Sequence, residues 1–306
     1  MNSKMRQAVI ATLSYADVFD YPLTRDEIAL WIIGRPIPEK ILSVLLPEKD
    51  IQSGRRALYH LSGRQRIVRL RSERQSVSRM KRGEAYRVAG WLVRLPTVLL
   101  VGITGGLAMN NARPEDDIDL IIIARQGTVW TTRILVTLMV ELVARRRRPA
   151  DTDVADKICL NMFLSEDFLA MPSSDRDLYG AHEVLQLQPL ATRGRVYRRF
   201  LDINSWVSGL LPVAWSVLRV RTSSVNGTHS ASAGIAGSLF IPVARALETI
   251  ARTLQQRYMR NRLTTEIVND STIRFHPHDA RRFVRRELMK RLRRYSIPLD
   301  KSLMGL

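Results

Sequence analysis

Apolar residues recur at helical spacing in the first third of the chain and at strand spacing near its middle, and this change of period sets out the elements. Over Met5–Val18, the residues Val9, Ile10, Leu13 and Val18 gather on one side, which predicts a helix. Phe19-Asp20-Tyr21-Pro22 ends it, because proline disfavours helical backbone at the residue before it. Thr24, with Glu27 three residues on, has the form of a capping box and opens a helix predicted over Arg25–Ile33, stopped by Gly34. A third helix is predicted over Pro38–Leu46, with proline at its start. The short run Ile51–Leu61 with an internal Gly54 predicts a hairpin. Three helices and a hairpin are the order of a winged helix-turn-helix, with Arg55 and Arg56 at the tip of the wing. The third helix is poor in the Arg, Asn and Gln that read base edges, so DNA reading and protein docking both stay open for residues 1–62.

Residues 63–95 predict one long basic connecting helix, in which Ile67, Leu70, Val77, Met80, Val88 and Leu92 recur at three- and four-residue steps. Its arginines read either as a solvated helix face or as a surface that tracks phosphates. Strand periodicity then takes over. Val98–Ile103, Asp117–Ala124 and Lys157–Leu164 predict strands, with an amphipathic helix over Val129–Ala144 between the last two. Residues 166–306 read as mostly helical, with an apolar alternating piece at Val184–Leu190 and a Ser/Gly-rich loop at 222–234. Two final helices are predicted over Ile235–Leu263, kinked near Pro242, and Arg281–Tyr295. The expected fold class is α+β: an N-terminal module (1–62), a connecting helix (63–95), a small mixed sheet with flanking helices (96–165), and a helical C-terminal region.

The chemistry is concentrated in Val98-Leu-Leu-Val-Gly-Ile-Thr-Gly-Gly-Leu and the following Asp116-Asp-Ile-Asp-Leu-Ile-Ile-Ile123. Gly105 and Gly106 let the backbone come close to a bound phosphate, since no Cβ intervenes. In a strand, side chains at i and i+2 share a face, so Asp117 and Asp119 project together while Ile118 and Leu120 enter the core. Adjacent carboxylates repel unless a cation lies between them, and an oxygen-only donor set suits Mg²⁺. Asp116 falls on the other face and is left out of the metal set.

This stretch resembles the nucleotidyltransferase superfamily typified by DNA polymerase beta, in the apolar-Gly-Gly turn Thr104-Gly105-Gly106, the spacer, and Asp117-Ile118-Asp119-Leu120. The resemblance spans roughly residues 96–165. It implies a Mg²⁺-dependent enzyme that moves a nucleoside monophosphate from an NTP to an acceptor: RNA, a protein hydroxyl or a small molecule. It implies that Thr104, Gly105 and Gly106 hold the nucleotide phosphates and that Asp117 and Asp119 are catalytic metal ligands. The family places a third carboxylate on a following strand. Here that strand is Lys157–Leu164, whose alternation puts Lys157, Cys159, Asn161 and Phe163 on one face and Ile158, Leu160, Met162 and Leu164 on the other. Asn161 is best placed to stand in for the third carboxylate, where it orients metal or substrate but is no base. Asp151, Asp153 and Asp156 lie upstream as other candidates. The alternative to an enzyme is a catalytically weakened nucleotide-binding regulator that signals through the winged-helix module.

Bulk composition bears on partners. Across 306 residues, 48 Lys and Arg stand against 29 Asp and Glu, a net charge of +19, which speaks for polyanionic partners rather than for a fold. Nucleic acid is the first candidate, through the basic helices. Arg145–Arg148 closes the predicted helix 129–144, where cations complement the helix dipole. The one cysteine, Cys159, allows no internal disulfide, so a cytoplasmic setting is expected. The N-terminal residues lack the apolar stretch of a signal peptide, and no run of about 20 apolar residues predicts a spanning helix. His182-Glu183 is no proton-transfer pair on sequence grounds, because neighbours in a helix do not face each other. His276, His278 and Asp279 lack the spacing of a helical ligand set, and Asp279 suits an N-cap.

Overall fold

A computed structural model describes residues 2–46, 50–54, 57–224, 235–259, 267–268, 272–274 and 280–297. Arg55, Arg56, His276, His278, Asp279 and most of the predicted loop 222–234 lie outside the described residues. The fold is mixed α+β. Helices α1 (Asn2–Val18), α2 (Arg25–Leu30) and α3 (Glu39–Leu45) precede a two-stranded antiparallel hairpin, β1 (Ile51–Gly54) and β2 (Leu58–Leu61). The order of elements in the first 62 residues is therefore as the periodicity predicts. The capping box forms: the Thr24 side chain accepts from the Glu27 amide, and the Glu27 carboxylate accepts from the Thr24 amide at 2.8 Å.

The 27-residue helix α4 (Arg66–Leu92) leads into a six-stranded mixed sheet of order β6-β3-β4-β5-β8-β7. Its strands are β3 (Val98–Ile103), β4 (Ile118–Ala124), β5 (Ile158–Ser165), β6 (Gln188–Thr192), β7 (Ile267–Val268) and β8 (Thr272–Arg274). Only the β4–β5 pairing is parallel, and its crossover carries α6 (Val129–Val143). The remaining helices are α5 (Gly105–Ala108), α7 (Leu178–Gln186), α8 (Val196–Ile203), α9 (Pro212–Ser224), α10 (Ile235–Met259) and α11 (Ala280–Arg294). The region beyond 165 is thus not only helical: it supplies the sheet with β6 beside β3, and with β8 and β7 beyond β5.

Alternation along β4 sends side chains to two cores. Ile118, Leu120 and Ile122 pack with α4 and α6, while Ile121 and Ile123 join the core shared with α1 and α7. The predicted alternation of β5 holds only in its first half. Asp119 pairs with Cys159 and Leu120 with Leu160, but Ile121 then pairs with Met162, leaving Asn161 as the extra residue. This bulge swaps the faces beyond it. Phe163 joins the α4–α6 core with Ile158, whereas Met162 and Leu164 turn to the other.

Helix α4 is a structural spine, and several of its cations point inward. Arg71 grips both carboxylate oxygens of Glu27, at 2.6 and 2.8 Å, and lies over the Tyr21 ring. Arg74 donates to the Phe19 carbonyl and to Asn111 Oδ1. Among the described residues no helix is long and apolar enough to cross a membrane.

Candidate functional site

At the end of β3 the chain is extended at Thr104, and Gly105 then takes φ +63°, opening the single-turn helix α5. Left-handed backbone strains any residue with a Cβ. A Cβ at Gly105 would also lie 3.4 Å from Asp119 Oδ2, so the turn runs directly against the carboxylate. Two contacts hold the turn in place. The Thr104 amide donates to the Asp119 carbonyl at 3.3 Å, and Arg82 Nη2 donates to the Leu107 and Ala108 carbonyls at 3.1 Å.

The approach to β4 is anchored by Lys81. This buried ammonium, 2 % exposed, donates to the Pro114 and Asp116 carbonyls at 3.0 and 2.7 Å and pairs with Asp156 at 2.6 Å. Asp116 accepts from the Arg113 amide within its own loop. The upstream acids are engaged elsewhere: Asp151 with Lys157, Asp153 with the Ala155 amide, Asp156 with Lys81.

Asp117 and Asp119 share a face, as their spacing predicts. Cys159, opposite Asp119 on β5, joins them: one ligand atom from each of the three lies within 4.8 Å of the other two. Asn161 is buried at the bulge two residues further on, and Cys159 is the third ionisable side chain of the cluster. Burial first, and then the Asp117 charge, lifts the Asp119 carboxyl well above the usual carboxylate range; a hydrogen bond from Cys159 opposes this. The Cys159 thiol is pushed far up by burial and by the two carboxylates, so it is a neutral donor and not a thiolate.

A fourth participant, Arg147, was not singled out by the sequence. Its Nη1 donates to Asp117 Oδ2 at 2.6 Å and lies 3.9 Å from Cys159 Sγ. The run that ends α6 bridges to the start of β5 through Arg146 and Ile158, with the Arg147 amide on the Ile158 carbonyl. Arg146 and Arg148 meanwhile pair with Glu141. One arginine of the run thus enters the site and two stay at the helix end. No protein-family model, curated protein or solved structure matches the chain. The site is therefore read from its own chemistry.

That chemistry sets a positive-φ glycine turn against a carboxylate pair whose repulsion a cation relieves. Two carboxylates fit a hard divalent ion, and a neutral thiol beside them adds little attraction for a soft one. Glu183 on α7 adds further negative potential at Asp119.

Proposed function

We propose that the chain is a Mg²⁺-dependent nucleotidyltransferase acting on an NTP. The observation that supports this reading is the contact of Gly105 with Asp119, which sets the glycine turn, read as the phosphate cradle, against a carboxylate pair. Asp117 and Asp119 would hold the ion, which when bound supplies charge stabilisation at the α-phosphoryl group. Thr104, Gly105 and Gly106 hold the phosphates. An acceptor hydroxyl oxygen bonds to the α-phosphorus, the α–β anhydride bond breaks and pyrophosphate leaves. Asn161 supplies a neutral amide on the same strand as Cys159 and no base, so the hydroxyl proton passes to solvent. Nucleic acid is the preferred acceptor class on the net charge of +19.

The ion pair between Arg147 and Asp117 favours a second reading, a weakened nucleotide-binding regulator that signals through a winged-helix-like N-terminal module. An arginine that supplies the counter-charge leaves less demand for a metal. The deciding experiment incubates the full chain with α-³²P-labelled NTPs and Mg²⁺, with total RNA or protein as acceptor. Label on an acceptor, lost in the Asp117→Asn/Asp119→Asn variant, supports the enzyme. Nucleotide binding without label, with Mg²⁺ affinity rising in Arg147→Gln, supports the regulator. Unchanged labelling by the double variant removes the site assignment.

A further inference from the structure

Between the N-terminal helices and the Gly105–Gly106 turn lies a cavity of about 240 Å³. Tyr15 of α1, Phe19 and Tyr21 just after it, and Trp31 at the end of α2 line it from one side, and Tyr179 and His182 of α7 from another. We infer that this cavity takes the planar ring of a nucleobase, so that one nucleotide lies with its base among these rings and its phosphates along the turn. The inference rests on the nucleotidyl-transfer reading and deepens it, because it makes the N-terminal module one wall of the nucleotide site.

Four observations support it. First, Gly105 and Gly106 line the cavity, and Gly105 also abuts Asp119, so a ring in the cavity is continuous with the metal site. Second, pockets that enclose whole drug-sized ligands run to about 300–1,000 Å³; this smaller volume suits one ring system. Third, the lining is already arranged for parallel rings: His182 stacks on Tyr15 with centroids 3.9 Å apart and planes 9° from parallel, and Trp31 stacks on its ring at 5.3 Å. Aromatic faces bind bases of any sequence by stacking.

The fourth observation is polarity. Among the described lining residues Glu183 is the only charged one and none is a cation, so the lining holds nothing that draws phosphate into the cavity. His182 is 4 % exposed, and its Nδ1 accepts from Gln186 Nε2 at 3.0 Å. Its Nε2 then carries the proton and has no partner among the described residues. Burial keeps the imidazole neutral, so it adds no cation to attract phosphate.

Isothermal titration of the full chain in Mg²⁺ with each NTP, with inorganic tripolyphosphate and with nucleosides separates the contributions. At least one NTP is expected to bind about 5- to 150-fold more tightly than tripolyphosphate, the range expected for one stacked base. Phe19→Ala, at a position 37 % exposed, and the cavity-filling Ala16→Leu should each erode that advantage and leave tripolyphosphate affinity unchanged. Equal affinity for NTP and tripolyphosphate, unmoved by either variant, overturns the base pocket and leaves the metal and phosphate site standing. Nucleoside binding with no gain from the phosphates, and no response to Asp117→Asn/Asp119→Asn, overturns the nucleotidyl-transfer reading and leaves the ring pocket. A chain that binds none of the three overturns both.

Discussion

His182 offers a test of the interior that needs no substrate. Its ring is stacked between Tyr15 and Trp31, and burial pushes its pKa from 6.5 down to about 3. The unfolded chain binds a proton at this residue below about pH 6.5, while the folded chain stays neutral down to about pH 3. Where the unfolded state binds more protons, stability rises with pH. The neutral ring therefore contributes nothing unfavourable above pH 6.5 and costs about 1.4 kcal/mol for each unit of acidification below it. At pH 5.0 the penalty is about 2 kcal/mol. Carboxylates titrate over part of the same range, so the comparison is with His182→Phe, which keeps a ring against Tyr15 and has no proton to bind. Urea unfolding of both proteins at pH 7.5 and 5.0 gives the four free energies by linear extrapolation. Phe loses the bond from Gln186 but also removes the unpartnered Nε2–H, so at pH 7.5 the two proteins should differ by no more than about 1 kcal/mol. Between the two pH values the difference should move about 2 kcal/mol in the variant's favour. A difference that stays constant with pH would falsify the argument, because it would mean that His182 accepts its proton in the folded state as readily as in the unfolded one.

Two further substitutions probe the frame around the site. Lys81→Met strands the Pro114 and Asp116 carbonyls and the Asp156 carboxylate; with Asp156 partly in solvent, the expected loss is about 2–4 kcal/mol. Because these carbonyls lead into Asp117, weaker metal binding by calorimetry should accompany that loss, and unchanged stability would show that Lys81 is not an anchor. Gly180→Ala puts a Cβ 2.0 Å from the Asp175 carbonyl oxygen, so the turn before α7 must open at a cost of about 3 kcal/mol or more. A thermal midpoint within one or two degrees of the parent would refute that geometry.

Local signals were legible and long-range ones were not. Thr24 and Glu27 formed their capping box because both partners lie within one helical turn. Ile118 and Leu120 went to the core, and Asp117 and Asp119 to the opposite face, because a strand's period is two. Asn161 was picked by the same rule, but the register shift at that point of β5, an event decided by pairing across strands, was not legible in the strand's own residues. Arg147 was hidden in a run of four arginines, since only the bridge from Arg146 to Ile158 selects which of them turns inward. Strand β6 pairs with β3 across about 85 intervening residues of chain, a contact that its own five residues do not announce. The aromatic cavity needed α1, α2 and α7 together, and no single segment carries its pattern. His182 and Glu183 do take separate tasks, as neighbours on a helix must: His182 bonds to Gln186, and Glu183 acts on Asp119.

The inward arginines of α4 bear on how far the protein can be dissected. Arg71 finds its partners in Glu27 and Pro22, within the first 62 residues, while Arg74 bonds both to Phe19 in that segment and to Asn111 beyond it. Cutting the chain after that segment would strip Arg71 of both its partners, leave Arg74 only Asn111, and take away one wall of the aromatic cavity. Any exchange of the N-terminal segment must therefore carry Glu27 and Arg71 together, since each is the other's counter-charge.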